Sequence, residues 1–163
     1  MRYAVGIDPG PRNMGVCAIN EDKTVKFLRK IDLFHYDTPL CINAIRQWCA
    51  DEKELLDGAT MIVVEKQFIG KDKFIKCAES LIIIETVIYT LYPDKSRQVR
   101  PMVIKDANGI KAAGNHDINK IRVKEAVEVS YPEIYAQISH GQKTDDICDA
   151  VLLAFYGLSK MNV

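Results

Sequence analysis

Residues 3–16 read YAVGIDPGPRNMGV, and the way their first apolar run ends decides what kind of fold this is. Tyr3 through Ile7 carry the apolar or small side chains of a buried strand, yet the run closes on Asp8 and turns at once at Pro9-Gly10-Pro11. A lone carboxylate buried there costs roughly several kcal/mol or more, so a positive partner is called for. A second run, TMIVVEKQF at residues 60–68, is apolar and β-rich and ends on Glu65 in the same manner. The first run opens a three-stranded antiparallel meander with strands expected at Arg2–Asp8, Asn13–Ile19 and Val25–Leu33 and a turn at Asn20–Lys23.

Thr38-Pro39 begins a helical stretch in which Leu40, Ala44, Ile45, Trp48, Cys49, Leu55 and Leu56 recur at helical spacing, and Gly58 is expected to stop it. After the Met61–Glu65 strand, a long helix is expected over Lys71–Tyr92, cut off by Pro93, then a short strand near Arg97–Arg100 and two last helices over Ile118–Ser130 and Thr144–Ser159. The order is that of an α/β protein with a mixed sheet. Short connections and right-handed crossovers put the Met61–Glu65 strand parallel to the first strand and beside it. Asp8 and Glu65 are then neighbours. Two carboxylates this close repel, and one is driven to protonate unless a cation sits between them.

The remaining acids lie in KTDDICDAVLLAFYGL, residues 143–158. Asp146 and Asp149, three apart, share one helix face. Thr144 suits an N-cap, and Asp145 and Asp146 suit the positive end of the helix dipole. Asp149 lies beyond that first turn and precedes Ala150–Phe155, an apolar run that must pack on the sheet. It is explained more simply if it faces the same cation. Asp8, Glu65, Asp146 and Asp149 make an oxygen-only ligand set, which suits Mg²⁺ or Mn²⁺ rather than zinc. Two such ions roughly 4 Å apart clamp a phosphodiester for hydrolysis. His35, His116 and His140 have no ligand spacing and are read as surface residues.

With 163 residues, 48% of them hydrophobic, the chain fits one domain over 1–163 with a sizeable core. No charged leader followed by an apolar stretch opens it, and the Phe74–Leu91 region is interrupted by Lys76, Glu79 and Glu85, so neither a secretory signal nor a membrane span is expected. Cys17, Cys41, Cys49, Cys77 and Cys148 form no CxxC pair, and an odd number fits no closed disulfide set; they read as reduced thiols of a cytosolic or nuclear protein. The formal net charge of zero hides an asymmetry. Between Lys95 and Lys124 eight bases face only Asp106 and Asp117, a net +6 in that segment. It is either a solvated face or a phosphate-binding surface.

The segments GIDPGPRNMGV, VVEKQF and DDICDAVLLA, in this order and spacing, resemble those of the RuvC-type Holliday junction resolvases, whose relatives occur in poxviruses and other large DNA viruses. The resemblance covers nearly the whole chain. It implies a ribonuclease H-like fold, a mixed five-stranded sheet flanked by helices, and Mg²⁺-dependent cutting of four-way DNA junctions, with Mn²⁺ able to substitute. It places the metal-binding catalytic acids on Asp8, Glu65, Asp146 and Asp149. It also places a base-stacking phenylalanine on Phe68, in a loop-like setting of Lys66, Gln67 and Gly70. Two DNA-facing lysines fall on Lys105 and Lys120, with Lys111 and Lys124 as alternatives because this region is longer than in the bacterial pattern.

Resolving a junction needs two cuts on opposing strands, and one acid cluster per chain calls for a two-fold homodimer. The long helix supplies a candidate face: Phe74, Cys77, Leu81, Ile84, Ile88 and Leu91 form a stripe that Ile82, Ile83 and Val87 widen. The resemblance implies the same helix as dimer contact. Three other readings compete. Asp8, Gly10 and Gly15 also match the first phosphate loop of the sugar-kinase and actin fold, which needs two lobes and a second glycine-rich loop. A ribonuclease H-like nuclease acting on ribosomal RNA or on other branched DNA usually lacks the strand glutamate and this acid pair. A non-catalytic nucleic-acid binding module has no need of the acids.

Overall fold

The computed structural model describes residues 1–10, 12–33, 38–67, 78–111, 113–138 and 144–161 and, of Thr38 and His116, the backbone alone. In chain order the elements are β1 Tyr3–Asp8, β2 Met14–Asn20, β3 Val25–Ile31, α1 Thr38–Asp51, α2 Lys53–Gly58, β4 Met61–Glu65, α3 Ala78–Leu91, β5 Ser96–Val99, α4 Pro101–Ala107, α5 His116–Ser130, α6 Pro132–Tyr135 and α7 Asp145–Met161. The strands form one five-stranded sheet in the order β3-β2-β1-β4-β5. The first three pair antiparallel, as the meander pattern requires, while β4 lies parallel to β1 and carries β5 parallel on its far side.

The period of two along each strand sorts side chains onto two cores. Tyr3, Val5 and Ile7 of β1 and Ile62 and Val64 of β4 pack with Ile45, Trp48, Leu56, Ile84 and Ile88 of α1, α2 and α3. On the other face Cys17, Ile19 and Val63 pack with Val123 and Val127 of α5, Ile134 of α6, and Val151 and Leu152 of α7. By the same alternation Ala4, Gly6 and Asp8 belong to this second face, as do Gly15, Met61 and Glu65.

Helix α7 lies across that face, against β1, β2 and β4. Glycines let it come so near. A Cβ on Gly6 would stand 2.5 Å from the Ala154 nitrogen, one on Gly15 2.5 Å from the Asp146 carbonyl carbon, and one on Gly157 2.9 Å from the Ala4 Cβ.

Several boundaries differ from the sequence expectation for local reasons. The helix expected to run to Gly58 breaks at Glu52 (φ −98°, ψ 27°), giving α1 and α2. Gly58 remains helical and the extended Ala59 ends α2. The glycine instead makes room for the Tyr3 hydroxyl, which would lie 2.5 Å from a Cβ there and donates to the Leu55 carbonyl at 2.7 Å. Helices α4 and α6 both open on a proline preset for a first helical position, but 7 and 4 residues are too few to show a period. Helix α5 starts earlier than expected because the Asn115 side chain caps it, accepting from the Asp117 amide at 2.8 Å. The long helix is observed over Ala78–Leu91, and Phe74 and Cys77 lie outside the described residues. Cys17, Cys41, Cys49 and Cys148 are buried and free. Among the described residues no helix is long and apolar enough to cross a membrane.

Candidate active site

In the parallel β1–β4 register Ile7 stands opposite Val64, and the next residue on each strand is an acid, Asp8 and Glu65. Both belong to the α7 face by alternation. Asp8 also stands opposite Gly15 of β2, the residue on which the Asp146 peptide rests. The missing Cβ at Gly15 thus seats the first turn of α7 beside Asp8, and Asp146 and Asp149 come with it. All four acids are half-buried. The structure therefore brings the four expected acids to one end of one sheet face.

Their electrostatics record how closely they meet. Asp8 is raised well above the ordinary carboxylate range, first by burial and then by Glu65, Asp149 and Asp146, with Lys120 opposing. Burial, and next Asp149, push Glu65 up to about 8, while Lys105 and the Gln67 hydrogen bond pull the other way. Burial pushes Asp149 up to about 7 against the pull of Lys105 and Lys120, and Asp146 and Asp145 add to the rise. Each acid makes its neighbours harder to ionise, the condition that a bound cation relieves.

Lys105, on α4, and Lys120, on α5, thus act directly on the acids. Lys124 is engaged elsewhere. Its Nζ lies 2.7 Å from Asp145 Oδ1, and the Lys120 Nζ lies 3.0 Å from Asp145 Oδ2. Burial opposes ionisation of Asp145, but hydrogen bonds from Lys124 and Lys120 overcome it and hold the carboxyl down at about 2. Lys111 is exposed and offers its carbonyl to the Arg122 guanidinium at 2.6 Å. Phe68 lies outside the described residues, as do His35 and His140.

A hard divalent cation fits this donor set by its chemistry: carboxylate oxygens only, half-buried and mutually repulsive. Among the described residues no three His, Cys, Asp or Glu side chains are already drawn together as a metal-holding group.

One residue at the site carries no sequence motif. Glu85, in the middle of α3 and only 6% exposed, accepts the Gln67 backbone N–H at 3.1 Å through Oε2. The Gln67 side chain in turn donates to the Glu65 carbonyl at 3.3 Å. Glu85 so anchors the chain just past Glu65 and just before Phe68. The sole hint in the sequence is a glutamate within an otherwise apolar run.

Helix α3 packs on α1. Ile84 and Ile88 are fully buried in the chain's own core and Ile83 and Val87 pack against that core. Much of the apolar width that suggests a partner is thus used inside the fold, while Tyr89 and Leu91 remain 44% and 46% exposed.

No protein-family profile matches the sequence, and no curated protein does. Solved structures do. The RuvC of T. thermophilus in complex with a Holliday junction substrate is 17% identical with a TM-score of 0.66, covering 99% of this chain and 96% of its own. A second structure of Thermus thermophilus RuvC, 16% identical, has a TM-score of 0.62 over 98% of this chain and 96% of its own. The fowlpox virus Holliday junction resolvase, 15% identical, has a TM-score of 0.67 over 98% of this chain and 99% of its own. The chain has the ribonuclease H-like fold of the RuvC-type resolvases over nearly all its length.

Proposed function

We propose that this chain is a metal-dependent endonuclease that resolves four-way DNA junctions by paired phosphodiester hydrolysis, as a single nuclease domain acting in a homodimer. The observation that carries the proposal is the convergence of Asp8, Glu65, Asp146 and Asp149 on one sheet face with Lys105 and Lys120 beside them. The fold shared with enzymes described as Holliday junction resolvases supports the choice of substrate.

In this reading the four acids hold two Mg²⁺ ions, with Mn²⁺ as a substitute, and the bound cations supply Lewis acidity at the scissile phosphate. The chain's own residues do the rest. The stiff β1–β4 pair fixes the Asp8 and Glu65 backbones, and the glycine seat of α7 fixes Asp146 and Asp149 against them. Lys105 and Lys120 offset part of the acids' mutual repulsion, and their charges can meet the phosphate backbone. Phe68 stacks on bases at the junction centre, an interaction worth roughly 1–3 kcal/mol per base.

Purified protein incubated with synthetic four-way, three-way, flap and linear duplex DNA, with and without Mg²⁺, tests the proposal. Symmetric paired nicks in the four-way junction that require the metal are expected, lost on Asp8→Asn, Glu65→Gln, Asp146→Asn or Asp149→Asn while junction binding persists. Metal-independent cutting, or no preference for the branched substrates, refutes it.

A further inference from the structure

We propose that Asp145 is an internal counter-charge that restrains binding to ordinary duplex DNA by holding Lys120 and Lys124. The inference rests on the reading of the chain as a DNA-binding nuclease, and goes beyond it in assigning an affinity-limiting role to an acid outside the metal set. The two lysines stand one turn apart on α5, and each takes one oxygen of the same carboxylate, at 3.0 Å and 2.7 Å. The Asp145 side chain is only 11% exposed, whereas the two lysine side chains are 34% and 35% exposed. The two ammonium groups on α5 are thus partly exposed over a buried anchor.

Lysines bind phosphate as point charges, and each that meets the DNA backbone adds to affinity by releasing counterions. A lysine already matched by a carboxylate at ion-pair distance must give up that partner before it neutralises a phosphate, so on binding it displaces fewer of the counterions condensed on the DNA. Helix capping alone does not account for the arrangement. An aspartate at a helix N-terminus is favourable without any lysine.

The test is equilibrium binding to a linear duplex across a salt series in EDTA, for wild type, Asp145→Asn, Lys120→Gln/Lys124→Gln and the triple variant. Asp145→Asn should bind the duplex more tightly at low salt, with a plot of log affinity against log salt steeper by about one to two units, or about fourfold to sixteenfold more affinity lost between 50 and 200 mM. In the Lys120→Gln/Lys124→Gln background the same change should do nothing, which separates the role from a structural one. An unchanged or shallower slope, or equal steepening without the lysines, overturns the proposal. Should Asp145→Asn fail to fold, the lysine variant alone decides: it should flatten the wild-type slope by less than about one unit, and a full two-unit loss overturns it. A four-way junction arm with wild type separates the two readings. Failure to prefer the junction refutes the proposed function and leaves the duplex comparison standing.

Discussion

The glycine beneath the first turn of α7 offers the sharpest way to perturb the site without touching an acid. A Cβ on Gly15 would overlap the Asp146 carbonyl oxygen and stand 2.5 Å from its carbon and 3.1 Å from the Ile147 nitrogen, all of them backbone. Ordinary contact begins at 3.4 Å. Gly15→Ala must therefore lift the start of α7 from β2 by about 1 Å or more at the Asp146 peptide. Overpacking of this kind costs about 1–3 kcal/mol, which a fold of this size survives. The damage to chemistry is larger, because a misplacement of about 1 Å can lower a rate by about 100-fold.

Gly157→Ala is the matched control. It lies at the other end of the same helix and meets side chains, the Ala4 Cβ at 2.9 Å and a Val63 methyl at 3.0 Å. Both variants should lose stability in denaturant melts, but only Gly15→Ala should lose most of its Mg²⁺-dependent junction cleavage, with junction binding retained in both. Wild-type cleavage by a folded Gly15→Ala, or equal loss in the two variants, refutes the idea that this contact sets the position of Asp146 and Asp149.

Three further outcomes are expected. Removing the carboxylate that anchors Gln67, by Glu85→Ala, should lower the cleavage rate about tenfold at unchanged junction affinity, and Glu85→Gln, which keeps an acceptor oxygen, should restore most of it; equal loss in both variants argues against positioning. Without metal, Glu65 at about 8 and Asp149 at about 7 keep protons in the folded chain that the unfolded chain has already lost, so stability is fully present below the ordinary carboxylate pKa of about 4 and declines as pH rises toward 8. Melting in EDTA should show this decline, and Mg²⁺ or Asp8→Asn should flatten it; a metal-free melting temperature that rises from pH 5 to 8 contradicts the cluster. Charge placed on the exposed side of α3, by Tyr89→Glu with Leu91→Glu, should convert a sedimenting dimer into a folded monomer without paired cutting, whereas a wild-type monomer with undiminished paired cutting excludes the homodimer.

The strands and the acids were legible because each carries a strong local signal. The continuous apolar runs of β1 and β4, each ending abruptly on a carboxylate, together with short connections and right-handed crossovers predict the parallel pair and the Asp8–Glu65 neighbourhood, and both are observed. The i,i+3 spacing of Asp146 and Asp149 needs nothing but a helix. What the sequence hides depends on residues far apart in the chain. Gly58 reads as a helix stop, but its lack of a side chain answers to Tyr3, 55 positions earlier. Glu85 reads as an interruption in an apolar helix until β4 ends beside it. Asp145 reads as a capping residue until α5 folds back and supplies Lys120 and Lys124. The apolar stripe of α3 looks wide enough for a partner because the sequence cannot show how much of it α1 consumes.

The same tight packing that makes the acids readable also explains why they remain strained. Carboxylates on a soft loop relieve repulsion by moving apart. Here Asp8 and Glu65 end two hydrogen-bonded parallel strands, and Asp146 is carried on a helix whose backbone rests on Gly15 and Gly6 with no room to slide. Relief is left to protons or to a cation, and the raised carboxyls of Asp8, Glu65 and Asp149 are the first of these outcomes. Lys105 and Lys120 offset part of the charge, yet four acids against two lysines leave the ionised cluster at −2. A third lysine, Lys124, adds no relief because Asp145 absorbs it. The fold thus keeps a residual negative charge at the end of a rigid sheet, which bound divalent cations would neutralise.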